Sequence, residues 1–166
     1  MYLGCRFHGQ QGNIAELWKA ASKYIDAISM NYYNAWTPDQ NLMANWAKWS
    51  SKPFLITEWY VKADDSNLGN TAGAGWVVKT QLDRGLFYQN FTLGLIESKN
   101  CVGWHWFKYM DNDPLQKGAE LSNTNANKGI LNNDYQVYKP LVQKMNELNY
   151  QMYQLIDFFD QKKKSP

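Results

Sequence analysis

One glutamate is set apart by its surroundings. Glu58 closes the apolar run Pro53-Phe54-Leu55-Ile56-Thr57 and is followed at once by Trp59 and Tyr60. That run has the β-branched and aromatic content of a short buried strand, and proline is tolerated at a strand's first position, where a missing N–H matters least. The carboxylate therefore stands at a strand exit. In α/β proteins this end faces the ligand crevice, so an acid there is placed for catalysis. A helix N-cap or a buried ion pair would put an acid in the same spot, and the local string leaves both readings open.

Other groups that could do chemistry are few. His8 follows the first apolar run, Tyr32 and Tyr33 end the second, and Trp104, His105 and Trp106 end the last. Cys5 and Cys101 lie in separate predicted strands with no C-x-x-C spacing and no zinc-type histidine cluster, which predicts free, buried thiols. The stretch Asp111-Asn112-Asp113-Pro114 lacks the glycine and terminal glutamate of a calcium loop. Asn90-Phe91-Thr92 matches a glycosylation sequon but falls in a predicted helix and is read as a chance match. Of 166 residues, 16% are aromatic, including eight tryptophans and eleven tyrosines, more than a core of this size requires. Such rings pack, or they stack on the C–H face of a sugar. The net charge of +2 owes much to Lys162, Lys163 and Lys164, so nucleic acid is not implied. No apolar run reaches membrane-spanning length.

The elements that must position these groups alternate. Strands are expected over Tyr2–Phe7, Asp26–Tyr33, Pro53–Glu58 and Cys101–Phe107. Each is followed by a helical pattern. The first opens at a capping box of Asn13 and Glu16. The second opens at Thr37-Pro38, with Gln40 as capping partner. The third runs Gly75–Ser98 with Val78, Leu82, Leu86, Leu93 and Ile96 on one side, and the fourth starts near Pro140. Two polar loops, residues 61–74 and 108–130, follow the third and fourth strands. Four strand–helix units imply a parallel sheet with right-handed crossovers, either half of an eightfold barrel or a small doubly wound sheet. Gly4, Gly9 and Gly12 do not have the spacing of a nucleotide-binding loop. With a strand beginning directly after Met1 and a full barrel needing roughly 250 residues, the α/β fold expected is four units of a (β/α)8 TIM barrel whose other four are absent.

Asn31-Tyr32-Tyr33, Ile56-Thr57-Glu58-Trp59-Tyr60, Gly103-Trp104-His105-Trp106-Phe107 and the loop ending Asn127-Lys128-Gly129-Ile130 resemble the last four βα units, strands 5 to 8, of clan A glycoside hydrolases. Within the clan the likeness is greatest to β-agarases and related enzymes acting on galactose-containing polysaccharides, and it extends to about Asn149. The resemblance implies that residues 1–153 are half of a catalytic domain and 154–166 a helical extension with a lysine-rich tail. It makes Glu58 the nucleophile of a retaining glycosidase. Tyr32, preferred over Tyr33, would orient that carboxylate. Trp106 would floor the adjoining sugar subsite, His8 would hydrogen-bond sugar hydroxyls, and Trp59, directly after the nucleophile, would line the cleft or pack behind the strand. The substrate implied is an oligo- or polysaccharide such as agarose, with no metal, cofactor, membrane or nucleic acid involved, and export or a periplasmic location for the full-length protein. The clan's acid/base belongs to a strand this chain does not contain, so an inactive fragment is expected. Its open strand edges would be covered by the missing N-terminal half or by a second copy. The competing reading is a non-catalytic carbohydrate-binding module with a tryptophan platform, which has no need of Glu58.

Overall fold

Four parallel strands lie side by side in chain order: β1 (Leu3–Phe7), β2 (Ala27–Asn31), β3 (Phe54–Glu58) and, after a two-stranded insertion, β6 (Cys101–Trp104). This computed structural model describes residues 3–9 and 11–161, with side chains from Arg6 onward. The expectations for Tyr2, the Cys5 thiol and the run Lys162–Lys164 lie outside the described residues. Because each strand pairs with the next in sequence, every crossover turns the same way and the helices gather on one face. These are α1 (Ala15–Ala21), α2 (Gln40–Ser50), α3 (Gln81–Glu97), α4 (Lys139–Asn149) and α5 (Met152–Gln161).

Strand alternation divides the side chains until the end of β3, where the pairing slips from Met30 opposite Ile56 to Asn31 opposite Glu58 and turns Glu58 away from the face of Phe54 and Ile56. Phe7, Ile28, Met30, Phe54 and Ile56 enter the core beneath the helices, where Trp18, Trp46, Phe87, Phe91 and Leu95 meet them. Each fully buried ring or aliphatic chain contributes about 1.5–3 kcal/mol relative to exposure. The surplus aromatics are largely spent here: Trp18 stacks on Trp46 at 5.0 Å, and Trp59 on Phe91 at 4.4 Å. The opposite face carries Arg6, Ser29, Asn31, Leu55 and Thr57.

Several boundaries differ from expectation for local reasons. Asn13 belongs to a 3₁₀ turn, and α1 begins after Ile14 without a side-chain cap. The cap of α2 is Asp39, whose Oδ1 accepts from the N–H groups of Asn41 and Leu42, rather than Thr37. The helix expected from Gly75 starts only at Gln81, behind a capping box of Thr80 and Asp83. The residues before it form β5 (Val77–Val78), paired with β4 (Lys62–Ala63). Leu82 and Leu86 are exposed, whereas Arg84, Phe87, Tyr88 and Phe91 are buried, because α3 packs against both sheet and α4. Gly85 permits that contact: a Cβ there would stand 2.6 Å from Lys144 Cβ. The fourth helix breaks after Asn149 into α4 and α5.

The two polar loops are anchored at a few buried residues. Asp111 is 1% exposed. Its Oδ1 accepts from the N–H groups of Lys128 (2.7 Å) and Gly129 (2.6 Å), and its Oδ2 from Asn127 Nδ2 (2.9 Å) and Tyr138 Oη (2.8 Å). Lys62 is buried and donates to the carbonyls of Asn70 and Ala72, each at 3.0 Å. Arg84, fully buried, donates to Val61 O, Gln81 Oε1 and Gly129 O. Its guanidinium lies over the rings of Trp106 and Tyr138. These bonds satisfy polar groups that would otherwise be costly to bury.

Candidate active site

Glu58 ends β3, and its partners arrive from two neighbouring strands. Asn31, the last residue of β2, donates Nδ2 to Oε2 at 2.8 Å, and Tyr33, two residues on, donates its hydroxyl to the same oxygen at 2.6 Å. Arg6 of β1 pairs with Oε1. Asn31 is itself fixed, because Thr57 Oγ1 donates to its Oδ1 at 2.8 Å. Every one of these residues occupies the strand face turned away from the helices. The Glu58 side chain retains 14% exposure, so it is held on both oxygens yet open to a ligand.

The donors cannot readily compete for the negative charge. Burial, and then the bond to Glu58, push the Tyr33 phenol well above its ordinary pKa, so it remains a donor. Burial and the Glu58 charge raise Tyr60 in the same sense. Tyr60 meets Tyr33 edge-on at 5.4 Å. Beyond it, Lys128 Nζ lies 4.7 Å from the centre of the Tyr60 ring and 5.4 Å from that of Phe107, and donates to Asn123 Oδ1 at 2.7 Å. Burial lowers the Lys128 pKa to about 8, against a smaller upward pull from Glu120. The arrangement is a carboxylate oriented on both oxygens, walled by aromatic rings and cationic groups, and partly open at the strand exit.

The structure redistributes the residues expected around it. Glu58 stands at the strand exit as expected. Its phenolic donor is Tyr33, not Tyr32: Tyr32 shares the helix-facing side with Ile28 and Met30, packs on Trp46 and Phe91, and accepts from the Asp39 N–H at 2.8 Å. Trp59 does not line the cleft. The residue after Glu58 turns to the opposite face, where its ring is fully buried among Phe87, Tyr88 and Phe91. Trp106 likewise faces the helix layer, beneath Arg84, with Nε1 donating to Lys128 O at 2.8 Å. It cannot floor a sugar subsite from there. The ring next to Tyr60 is that of its neighbour Phe107. His8 is exposed just beyond β1, and His105, between the two inward-packed tryptophans, is exposed as well. Asp111 and Asn127 are buried and bonded to each other within the loop.

Sequence reasoning missed Arg6 and Asn31 as partners of Glu58, Thr57 as the support of Asn31, and Tyr60 and Lys128. Arg6 had a signal, since a charged residue beside Phe7 in an apolar strand marks the face away from the core. Cys101 is a free thiol, donating to Gly103 O, with its pKa raised to about 12 by burial. Among the described residues no cluster of histidine, cysteine, aspartate and glutamate could hold a metal ion, and no helix is long and apolar enough to cross a membrane. A cavity of about 620 Å³ opens elsewhere, on the helix side of β6, against Tyr88, Ile96, Val102, Trp104, Met145 and Ile156. None of the partners of Glu58 lines it.

No protein-family model matches the chain. It is 31% identical to β-agarase B of Vibrio sp. (strain JT0107) over 159 residues, which are 93% of this chain and 16% of that protein. It is also 31% identical to β-agarase A of the same strain, over 92% of this chain and 15% of that protein. The chain thus spans less than a fifth of the curated relatives it matches. Among solved structures, the crystal structure of BpGH50 superposes with a TM-score of 0.87 at 43% identity, covering 97% of this chain and 33% of that one. An exo-β-agarase superposes with a TM-score of 0.81 at 30% identity, over 94% and 20%. The catalytic core of xylanase A shares the fold alone, with a TM-score of 0.55 at 16% identity over 86% and 48%.

Proposed function

We propose that this chain, homologous over almost its whole length to a segment of β-agarases, is the part of a (β/α)8 glycosidase barrel that carries the nucleophile, with β1, β2, β3 and β6 standing as barrel strands 5 to 8. Residues 1–153 form this catalytic half, and 154–166 are an extension and tail. One observation carries the reading: a carboxylate at the exit of a parallel strand, held by Arg6, Asn31 and Tyr33 and still open to solvent. Ionised Glu58 attacks the anomeric carbon, a C–O bond to Glu58 forms as the glycosidic C–O bond breaks, and water later releases the sugar with retention. Asn31 and Tyr33 fix the attacking group, so little orientation remains to be found in the transition state. The substrate is a galactose-containing polysaccharide such as agarose, consistent with what its relatives are named for, and the whole protein acts outside the cytoplasm, where such a polymer is found.

The leaving oxygen needs a proton from a second carboxyl about 5 Å from the nucleophile. Glu120 is in range to shift Tyr60 and Lys128, but its carboxylate is engaged with Ser122 and Asn123 of its own turn. The acid/base is therefore supplied by the complementary barrel half. The described sheet ends at β1 on one side and β6 on the other, and the apolar cavity beside β6 lies along the second edge. Exposed edges next to apolar surface invite a further strand. The complementary half, or a second copy in its absence, covers them.

Co-expression of this chain with the N-terminal barrel segment of a related β-agarase tests the reading through release of reducing ends from agarose. The complemented barrel is expected to turn over, Glu58→Gln to lower the rate by on the order of 10³-fold or more, Glu120→Gln to leave it, and the 166-residue chain alone to be inactive. Activity that survives Glu58→Gln, or turnover by the chain alone, overturns it. Sedimentation of the lone chain should show association that grows with concentration.

A further inference from the structure

Two tryptophans on the strand-exit side remain half in solvent. Trp36 follows β2 and Trp76 precedes β5, and they are 44% and 42% exposed. Their rings lie 5.7 Å apart with planes inclined by 28°. Both belong to connections that leave the same sheet end as Glu58: Trp36 is three residues beyond its donor Tyr33, and the chain before Trp76 presses on Tyr60, where a Cβ on Gly75 would stand 2.7 Å from Tyr60 O.

The pair is braced from behind. Phe87 backs Trp36 at 5.0 Å. Asn90 of α3 donates Nδ2 to Trp36 O at 2.8 Å and to Thr37 Oγ1 at 3.0 Å, and Lys62 N–H donates to Trp76 O at 2.9 Å. The sequon asparagine thus spends its amide on this loop. Exposed rings on a mobile loop would lose rotamer entropy on binding, whereas rings already fixed do not. Because the two rings are stacked, Trp36, itself backed by Phe87, supports Trp76, and what the stack leaves to solvent is the uncovered part of each half-exposed indole. An indole face is of the width of a pyranose ring, and the C–H face of a sugar is complementary to it while its hydroxyls stay in water.

We propose that Trp36 and Trp76 form a sugar-binding platform at the rim of the site, separate from the Glu58 cluster, which anchors a pyranose unit of the polysaccharide some way along the chain from the scissile bond. The choice of ligand rests on the glycosidase reading, but the platform needs neither the acid/base nor turnover to bind. It can therefore be tested without activity. In affinity electrophoresis through polyacrylamide containing soluble agarose, the 166-residue chain is expected to be retarded relative to a gel without it. The double variant Trp36→Ala/Trp76→Ala should lose that retardation, with affinity falling roughly tenfold for each ring removed. Tyr153→Ala, which removes a ring 83% exposed on α5, should migrate as the wild type does. If the double variant fails to fold, Trp36→Phe/Trp76→Phe keeps the flat surface and should bind partially. The wild-type tryptophan emission should also shift on titration with neoagarohexaose. Unchanged retardation in the alanine variant, equal loss in Tyr153→Ala, or no retardation and no emission shift in the wild type overturns the platform. None of these bears on the nucleophile, which is judged by the complemented barrel and Glu58→Gln.

Discussion

Two carboxylates at the same end of the sheet, Glu58 and Asp111, are both surrounded by donors, and they differ in who donates and what is left open. Asp111 receives two main-chain N–H groups, an amide and a phenol, and is sealed from water. Three of its donors belong to the loop it closes and the fourth, Tyr138, to the start of α4, so the bonds exist only when the loop is folded. Glu58 receives three side chains, from β1, β2 and the residue pair after β2, and keeps a solvent-facing flank. A carboxylate that builds structure is saturated by its own backbone, while one poised for chemistry is held by replaceable side chains and left accessible.

Removing each in turn should break the resemblance between them. Asp111→Ala has the largest expected effect, a loss of about 3–5 kcal/mol in urea unfolding, because it orphans buried donors and leaves Asp65 as the remaining carboxylate acting on buried Arg84. A loss under 1 kcal/mol would show that the anchor is not structural. Tyr32→Phe, which strands the Asp39 N–H, should cost about 1 kcal/mol. Glu58→Gln and Tyr33→Phe should each change stability by less than about 1 kcal/mol, since the Arg6 partner is exposed and the ion pair is screened. Their effect belongs to turnover of the complemented barrel. If Glu58→Gln proves as damaging to the fold as Asp111→Ala, the distinction collapses.

The smallest effect concerns Lys128. Its pKa is about 8 in the folded chain against an ordinary 10.5, so between those values the unfolded chain holds a proton that the folded one has lost. Stability from this group is therefore lowest below pH 8 and rises from about pH 8 toward 10. Above pH 10 the raised phenols of Tyr33, Tyr60 and Tyr138 act in the opposite sense, because the unfolded chain then releases protons that the folded one retains. Lys128→Met should flatten the rise between pH 8 and 10 in chemical denaturation. An unchanged slope would remove Lys128 from the wall of the site.

Much of this molecule is legible in its residues alone. The β-branched and aromatic run ending at Glu58, and the return of strand and helix patterns four times, are local properties and gave the parallel sheet and the exposed acid. Alternation along β2 was also sound: Ile28, Met30 and Tyr32 do share a face, as do Ser29, Asn31 and Tyr33. The error lay in which face meets Glu58. Two apolar companions already marked the Tyr32 side as the one beneath the helices. Trp106 alternates with Trp104 onto the helix layer, whereas Trp59 reaches it because the register slips at the end of β3, where Asn31 pairs with Glu58 directly after Met30 pairs with Ile56. In both cases a large ring at a strand exit was credited to the cleft when it packs on the core.

What the sequence by itself determined is the order of elements and the position of one carboxylate, because period and propensity act over a few residues. Tertiary structure alone decided that Arg6, 52 residues away, would meet that carboxylate. It also decided that Tyr33 and not Tyr32 would donate, and that the exposed platform would be Trp36 with Trp76 instead of Trp106. Those outcomes depend on strand register and on which sheet face the helices cover, and a shift of a single residue would exchange the two faces.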